Sequence, residues 1–155
     1  LYFERALEAY YFHVPPYVEL IQHFNRQAAN STNLAVYCKR TKSLDQKFME
    51  DLAIKIQENL EANQNLKINI STGSLKIFIN TDQVKPKNWD SLIEETSLII
   101  LQLSESIQGL TSLENIIHQL ENYSNHCKSL SLMYAEYVKN LQTAFADQLK
   151  VMITP

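Results

Sequence analysis

The sequence predicts a mainly α-helical bundle, with a long coiled-coil-like C-terminal helix and one inserted β-hairpin, in a single domain that spans residues 1–155. Three observations lead to this prediction: an apolar heptad repeat in the last third of the chain, a shortage of glycine, and one segment whose apolar residues alternate. The chain contains only two glycines, against an average usage of about 7%. Because strand-rich folds need Gly in tight turns and bulges, this shortage favours long helices with few connections.

The heptad repeat extends from Ser112 to about Met152 and contains neither Gly nor Pro. A helix of this length measures about 60 Å, and it must bury its apolar seam against the rest of the chain or against a partner chain. The seam consists of the a and d positions, of which only Gln148 is clearly polar: Leu113, Ile116, Leu120, Tyr123, Cys127, Leu130, Tyr134, Tyr137, Leu141, Ala144, Gln148 and Val151. Apolar residues at e positions favour packing into a bundle over a two-stranded coiled coil: Ile117, Val138, Phe145 and Met152.

The helix before this repeat is predicted to follow a capping residue, Asn88, and to end at Gly109. Leu98 and Leu101 widen its apolar stripe until the middle of the helix is apolar nearly all round. Such a helix is the central one of a bundle or lies in an interface.

The connection between these two helices is short. Thr111 with Glu114 has the pattern of a capping box, which predicts that the long helix opens there. Because few residues separate the two helices, we expect them to form an antiparallel helical hairpin at about residues 89–152.

The N-terminal part of the chain predicts three further helices. The first, from Leu1 to about Phe12, should stop at Pro15–Pro16, because proline cannot continue the helical hydrogen bonds. The second should begin at these prolines and end in the polar stretch Asn30–Asn33, and the ambiguous segment Leu34–Lys39 that follows favours further helix. A capping box of Ser43 and Gln46 opens the third, which should fray into a polar connector before the alternating segment.

The alternating segment predicts a β-hairpin at about residues 66–80. Apolar residues occupy every second position in Leu66–Ile70 and again in Leu75–Ile79, and Gly73 lies in the turn between them. A lone two-stranded hairpin is marginally stable in water. We therefore expect this one to lie on the helices or to pair with another strand.

The charges are unevenly distributed. A net charge of −3 argues against a general nucleic-acid binder. From Asn88 onward, three lysines oppose eight carboxylates: Asp90, Glu94, Glu95, Glu105, Glu114, Glu121, Glu136 and Asp147. Either this acidic part neutralises the N-terminal part within one fold, or it faces a basic partner.

Two cysteines, Cys38 and Cys127, are too few for a disulfide framework, so we expect both to be reduced and the protein to be intracellular, cytoplasmic or nuclear. The N-terminus carries charges where a signal peptide needs an apolar run, and it lacks an initiator Met, which suggests a fragment or a processed chain. No uncharged stretch approaches the length of a membrane span.

The sequence offers no local motif for catalysis, a metal or a cofactor. With two glycines it holds neither a P-loop nor a dinucleotide fingerprint. The pairs Glu19–His23 and Glu114–His118 have helical spacing but lie off the apolar stripes, so we expect solvated side chains rather than metal ligands. We therefore predict no catalytic residue, no metal ligand and no cofactor.

The function that fits these features is a non-catalytic protein–protein interaction or scaffold subunit of a larger assembly. The long helix exceeds the other predicted helices, so part of its seam should overhang the bundle and bind another chain or itself. The tyrosines of its second half suit a partly wet interface. The candidate partner-binding residues are Leu130, Tyr134, Tyr137, Leu141 and Phe145.

Two alternatives remain open: a peripheral membrane-binding helical domain, and an enzyme whose site has no local motif. The segment Lys128–Leu149, KSLSLMYAEYVKNLQTAFADQL, resembles the first long helix of BAR-type membrane-curvature domains, whose Phe-Ala-Asp-x-Leu pattern is matched by Phe145–Leu149. The resemblance implies three long helices and a basic concave face, whereas this helix is acidic overall. Residues that could meet an anionic surface are Lys39, Arg40, Lys42 and Lys47.

Overall fold

The computed structural model describes residues 2–41, 45–67, 73–109 and 111–153. It is mainly helical, as predicted, and its elements are α1 (Tyr2–Thr41), α2 (Gln46–Lys67), a short 3₁₀ helix (Ser74–Ile77), α3 (Trp89–Gln108) and α4 (Leu113–Ile153). The long C-terminal helix is confirmed, with 41 residues. No strand occurs within the described ranges.

The two long helices, α1 and α4, run antiparallel along most of their lengths. Near one end the Ser31 hydroxyl donates to the Leu120 carbonyl, and near the other the rings of Tyr10 and Phe145 stack. Helix α3 packs on α4 and is joined to it by a short turn, so the two form an antiparallel hairpin. Helix α2 packs on α3 and reaches the C-terminal part of α1, where Phe48 contacts Tyr37.

Two predictions about α1 are wrong. The helix does not break at Pro15–Pro16, and it does not end at Asn30–Asn33, because it continues through both to Thr41. Proline inside a helix costs about 3 kcal/mol or more, since it removes a hydrogen bond and crowds the preceding turn. Burial of Tyr10, Tyr17 and Leu20 on either side stabilises the helix by about 1.5–3 kcal/mol for each side chain. Pro15 lies on the exposed face, where water can bond to the carbonyl groups that lose their helical partners.

The predicted β-hairpin is also wrong in the described residues. Its second strand, Leu75–Ile79, forms the 3₁₀ helix and a turn, in which the Leu75 carbonyl accepts hydrogen bonds from the backbone N–H groups of Phe78 and Ile79. Leu75 and Ile79 are buried, whereas Ile77 is 74% exposed. The apolar spacing that matters is therefore four residues and not two. Leu66 lies in α2, which extends past the predicted polar connector, and residues 68–72 of the first strand and turn fall outside the described residues.

The helix ends differ from the prediction in detail. Helix α4 is capped by Ser112, whose hydroxyl accepts the Asn115 N–H at 3.3 Å, while Thr111 donates to the Ser106 carbonyl instead of forming a capping box. Asn88 precedes α3 but makes no capping hydrogen bond through its side chain. Gly109 follows the last residue of α3, as predicted. Ser43 lies outside the described residues, so its capping box stays a prediction.

Candidate functional site

The five candidate partner-binding residues of α4 lie inside the fold. Leu130, Tyr134, Tyr137, Leu141 and Phe145 are at most 5% exposed. The reason is the continuity of α1, which at 40 residues is almost as long as the 41-residue α4 and packs along it as far as Phe145. Because α1 occupies this seam, a second chain can reach it only if α1 moves away. That these residues bind a partner stays a prediction.

Aromatic rings fill the space around Tyr137. Its ring lies 4.8 Å from that of Trp89 and 4.9 Å from that of Tyr17. Its hydroxyl lies 2.9 Å from His13 Nε2, and Tyr17 and Thr81 hydrogen-bond to the same hydroxyl. The segment that supplies Thr81 is fixed to α4 because the side-chain amide of Asn140 donates a hydrogen bond to the Val84 carbonyl. These rings form a packed core in which the phenol is held by several polar partners.

Burial determines the protonation of this cluster. Loss of solvent lowers the pKa of His13, and the nearby Lys76 and Lys85 lower it further. Burial raises the pKa of Tyr134 to about 12 and that of Tyr137 well above its usual range. At neutral pH the imidazole and both phenols are therefore uncharged.

Hydroxyl groups connect α1 and α4 in the other half of the molecule. Ser31 donates to the Leu120 carbonyl at 2.6 Å, and Ser124 donates to the Ala28 carbonyl at 2.8 Å. Because Ser124 uses its proton for Ala28, Thr32 supplies the proton in their mutual contact of 2.6 Å. The heptad repeat did not predict these contacts. Ser124, a small residue at an otherwise apolar e position, was the signal that the two helices approach closely there.

Of the basic candidate residues that the structure describes, one is paired with a carboxylate and two are exposed. Lys39 pairs with Glu121 of α4 at 2.5 Å, where both side chains are about half exposed. Arg40 and Lys47 are exposed at the end of α1 and near the start of α2. Lys42 lies outside the described residues. That these residues bind an anionic surface stays a prediction.

The carboxylate–imidazole pairs are placed differently from one another. Glu114 and His118 are exposed, as expected, and so is Glu19, but His23 is buried and packs edge-to-face on Phe24. In the described part of the chain, no group of three His, Cys, Asp or Glu side chains could hold a metal ion.

The cysteines are both buried and unpaired with each other. Burial raises the pKa of the Cys127 thiol to about 12, and burial also raises the pKa of the Cys38 thiol. Because the thiolate is the reactive form of cysteine, both side chains act as small packing residues.

An exposed line of side chains on α3 forms what we name the α3 stripe: Glu94, Leu98, Leu101 and Glu105. Leu98 is 54% exposed and Leu101 is 55% exposed, while both carboxylates are also on the surface. The buried face of α3 points the other way, through Leu92, Thr96 and Leu103. The sequence contained this signal, since these two leucines make α3 apolar nearly all round.

A groove of about 490 Å³ lies between the first turns of α1 and the 3₁₀ helix. Phe12, which is 69% exposed, and Ile77, which is 74% exposed, line its rim. Tyr2 and Phe78 contact each other edge-to-face in its wall at 5.0 Å. We name this recess the α1 groove. Its lining includes one charged pair, Arg5 and Glu8, and four apolar or aromatic side chains: Tyr2, Phe12, Ile77 and Phe78.

The fold defines a class of mainly α-helical, antiparallel bundles. No protein-family model, curated protein or solved structure matches the chain. The described residues contain two helices of about 40 residues, α1 and α4, where the BAR resemblance implied three long helices. Among the helices described, none has both the length and the apolar character needed to cross a membrane.

Proposed function

We propose that this chain is a non-catalytic interaction subunit that binds a basic amphipathic helix of another protein along the α3 stripe. The observation that carries the proposal is the exposure of Leu98 and Leu101 in line with Glu94 and Glu105. Spacings of four, three and four residues place all four side chains on one side of a helix. The result is a short apolar contact with a carboxylate at each end.

The charge of α3 determines the chemistry of the partner. The helix contains Asp90, Glu94, Glu95 and Glu105 and neither Lys nor Arg. A partner helix with leucine-like residues on one face and Lys or Arg beside them matches both parts of the stripe. The stripe extends over about 16 Å, which corresponds to about three turns of such a helix.

The packing of the rest of the molecule supports this location. From Ile116 to Leu141 the apolar seam of α4 is buried, mainly against α1, and the buried face of α3 is covered by α4 and α2. The group of titratable side chains around Tyr137 is enclosed by aromatic rings, which suits a role in the core rather than catalysis. A helix of strongly apolar character then retains one face for a second protein.

A designed peptide tests the proposal. The probe is a synthetic helix with leucines at i, i+3, i+4 and i+7 and lysines elsewhere, and the matched control peptide carries glutamate in place of each lysine. We expect titration calorimetry to give a Kd of about 10 µM for the basic peptide. Its affinity should fall as salt is raised, because the carboxylates are exposed. The acidic peptide should not bind.

Variants locate the contact. Leu98→Ala with Leu101→Ala should weaken binding by about tenfold, because the apolar contact is lost. Glu94→Lys with Glu105→Lys should weaken it and reduce its salt dependence. The control is Leu132→Ala on the outer face of α4, where a leucine of 71% exposure is removed away from the stripe. Equal binding of both peptides, or an unchanged Kd in the leucine variant, would contradict the proposal.

A further inference from the structure

The α1 groove differs from the α3 stripe in shape and in charge. It combines a recess of about 490 Å³ with two apolar side chains, Phe12 and Ile77, that stand out beside it. Its lining also holds one cation and one anion, Arg5 and Glu8, both exposed and three residues apart on α1. A surface that carries both a recess and the side chains to fill one can pair with its own copy.

From this we infer that two copies of the chain pair about a two-fold axis through the α1 groove, with Phe12 of each copy seated in the groove of the other. Two-fold pairing uses the same surface on both subunits, so each contact occurs twice. This pairing is independent of the α3 stripe, because it involves α1 and the 3₁₀ helix only.

The charges in the α1 groove favour a second copy of this chain as its occupant. When two α1 helices cross in antiparallel directions between residues 5 and 8, Arg5 of each copy lies beside Glu8 of the other, since these residues are separated by about 4.5 Å along the helix. Both contacts are attractive, and the groove lining is neutral in sum. The α3 stripe cannot pair with itself in this way, because its charges are all negative and would repel.

Sedimentation velocity of the whole chain over a range of concentrations tests the inference. We expect a monomer–dimer equilibrium with a Kd of about 10 µM, because a single groove with two apolar side chains per copy makes a small interface. Phe12→Glu and Ile77→Glu should each raise the Kd by at least tenfold. Leu132→Glu is the matched control, since it also places a carboxylate at a highly exposed apolar position, and its Kd should equal that of the wild type.

Charge exchange separates two-fold pairing from non-specific association. Arg5→Glu and Glu8→Arg should each weaken self-association, because each creates like charges on both sides of the axis. An equimolar mixture of the two variants should form a heterodimer, since every contact across the axis again joins opposite charges. Circular dichroism checks that each variant keeps the helical content of the wild type.

Three results would overturn the inference: a wild-type chain that stays monomeric up to about 100 µM, a dimer unaffected by both carboxylate substitutions in the groove, or a mixture of charge variants that does not pair. None of these results bears on the peptide experiment. Failure of self-association and failure of the α3 contact are therefore distinguishable.

Discussion

The two halves of the α1–α4 pair are held together by different kinds of side chain. In the half next to α2, the helices meet through small residues, and Ser31 and Ser124 donate hydrogen bonds to backbone carbonyls of the opposite helix. In the half next to the 3₁₀ helix, large rings meet. The ring centroids of Tyr10 and Phe145, which stack, are 4.3 Å apart, and those of Tyr17 and Tyr137 are 4.9 Å apart.

The lengths of the other helices explain this difference. Helices α2 and α3 have 22 and 20 residues, so they accompany only part of the 40-residue α1. Where they are present, four helices share the core and α1 can lie close to α4. Beyond them, the described residues that cover the pair are 73–88 and the ring of Trp89 at the start of α3, so aromatic side chains supply the volume. The difference teaches that two helices of almost equal length can be joined by close backbone contact at one end and by ring packing at the other.

The largest effect on stability is expected when a ring is removed from the half next to the 3₁₀ helix, which we name the aromatic half. Tyr137→Ala should lower the free energy of unfolding by about 3–5 kcal/mol, because Tyr137 is 1% exposed and its loss leaves a cavity. Tyr137→Phe, which keeps the ring but leaves the His13 contact unmade, should lower it by about 1–3 kcal/mol. Urea denaturation followed by circular dichroism measures both values. Equal losses for the two variants would show that the hydroxyl, and not the ring volume, determines stability here.

The half with small residues should be sensitive to added volume instead. Ala28→Leu should lower the free energy of unfolding by about 1–3 kcal/mol, because Ala28 is 2% exposed and its carbonyl accepts the hydrogen bond from Ser124. The matched control is Ala29→Leu, which adds the same atoms at the neighbouring exposed position and should change stability little. Urea denaturation of both variants decides the point. If Ala28→Leu were tolerated as well as its control, the close approach of the two helices would be refuted.

The bounds of α3 and α4 could be predicted from the sequence because their signals are local. Gly109 and a long uninterrupted heptad repeat determine where these helices end and which faces are buried, and the structure places α4 at Leu113–Ile153. The path of α1 could not be predicted from Pro15–Pro16, since burial on both sides of the prolines outweighs their local cost. The alternation in Leu75–Ile79 was equally misleading, because five residues also fit a turn that buries its first and last members.

The candidate site shows the same limit. A heptad repeat reveals which face of α4 is buried, but it does not reveal whether α1 or another chain covers that face. The prediction of an overhanging seam depended on the assumed break in α1, which the structure does not have. That Tyr134 and its neighbours bind a partner stays a prediction. The α3 stripe, in contrast, was present in the sequence as an excess of apolar residues in one helix, because Leu98 and Leu101 exceed what one buried face requires.

The smallest predicted effect is on the pH dependence of the free energy of unfolding. It arises from the buried imidazole of His13, which lies in the aromatic half. The pKa of His13 in the folded chain is below its ordinary value of 6.5, because burial and then Lys76 and Lys85 disfavour the charged form. As pH falls below about 6.5, the unfolded chain binds a proton that the folded chain does not, so the free energy of unfolding decreases. His13→Gln should therefore flatten the decline between about pH 7 and pH 5, whereas His118→Gln, at an exposed position of α4, should leave it unchanged. Urea denaturation at several pH values measures both slopes, and a slope in His13→Gln as steep as in the wild type would show that the acid sensitivity arises outside the aromatic half.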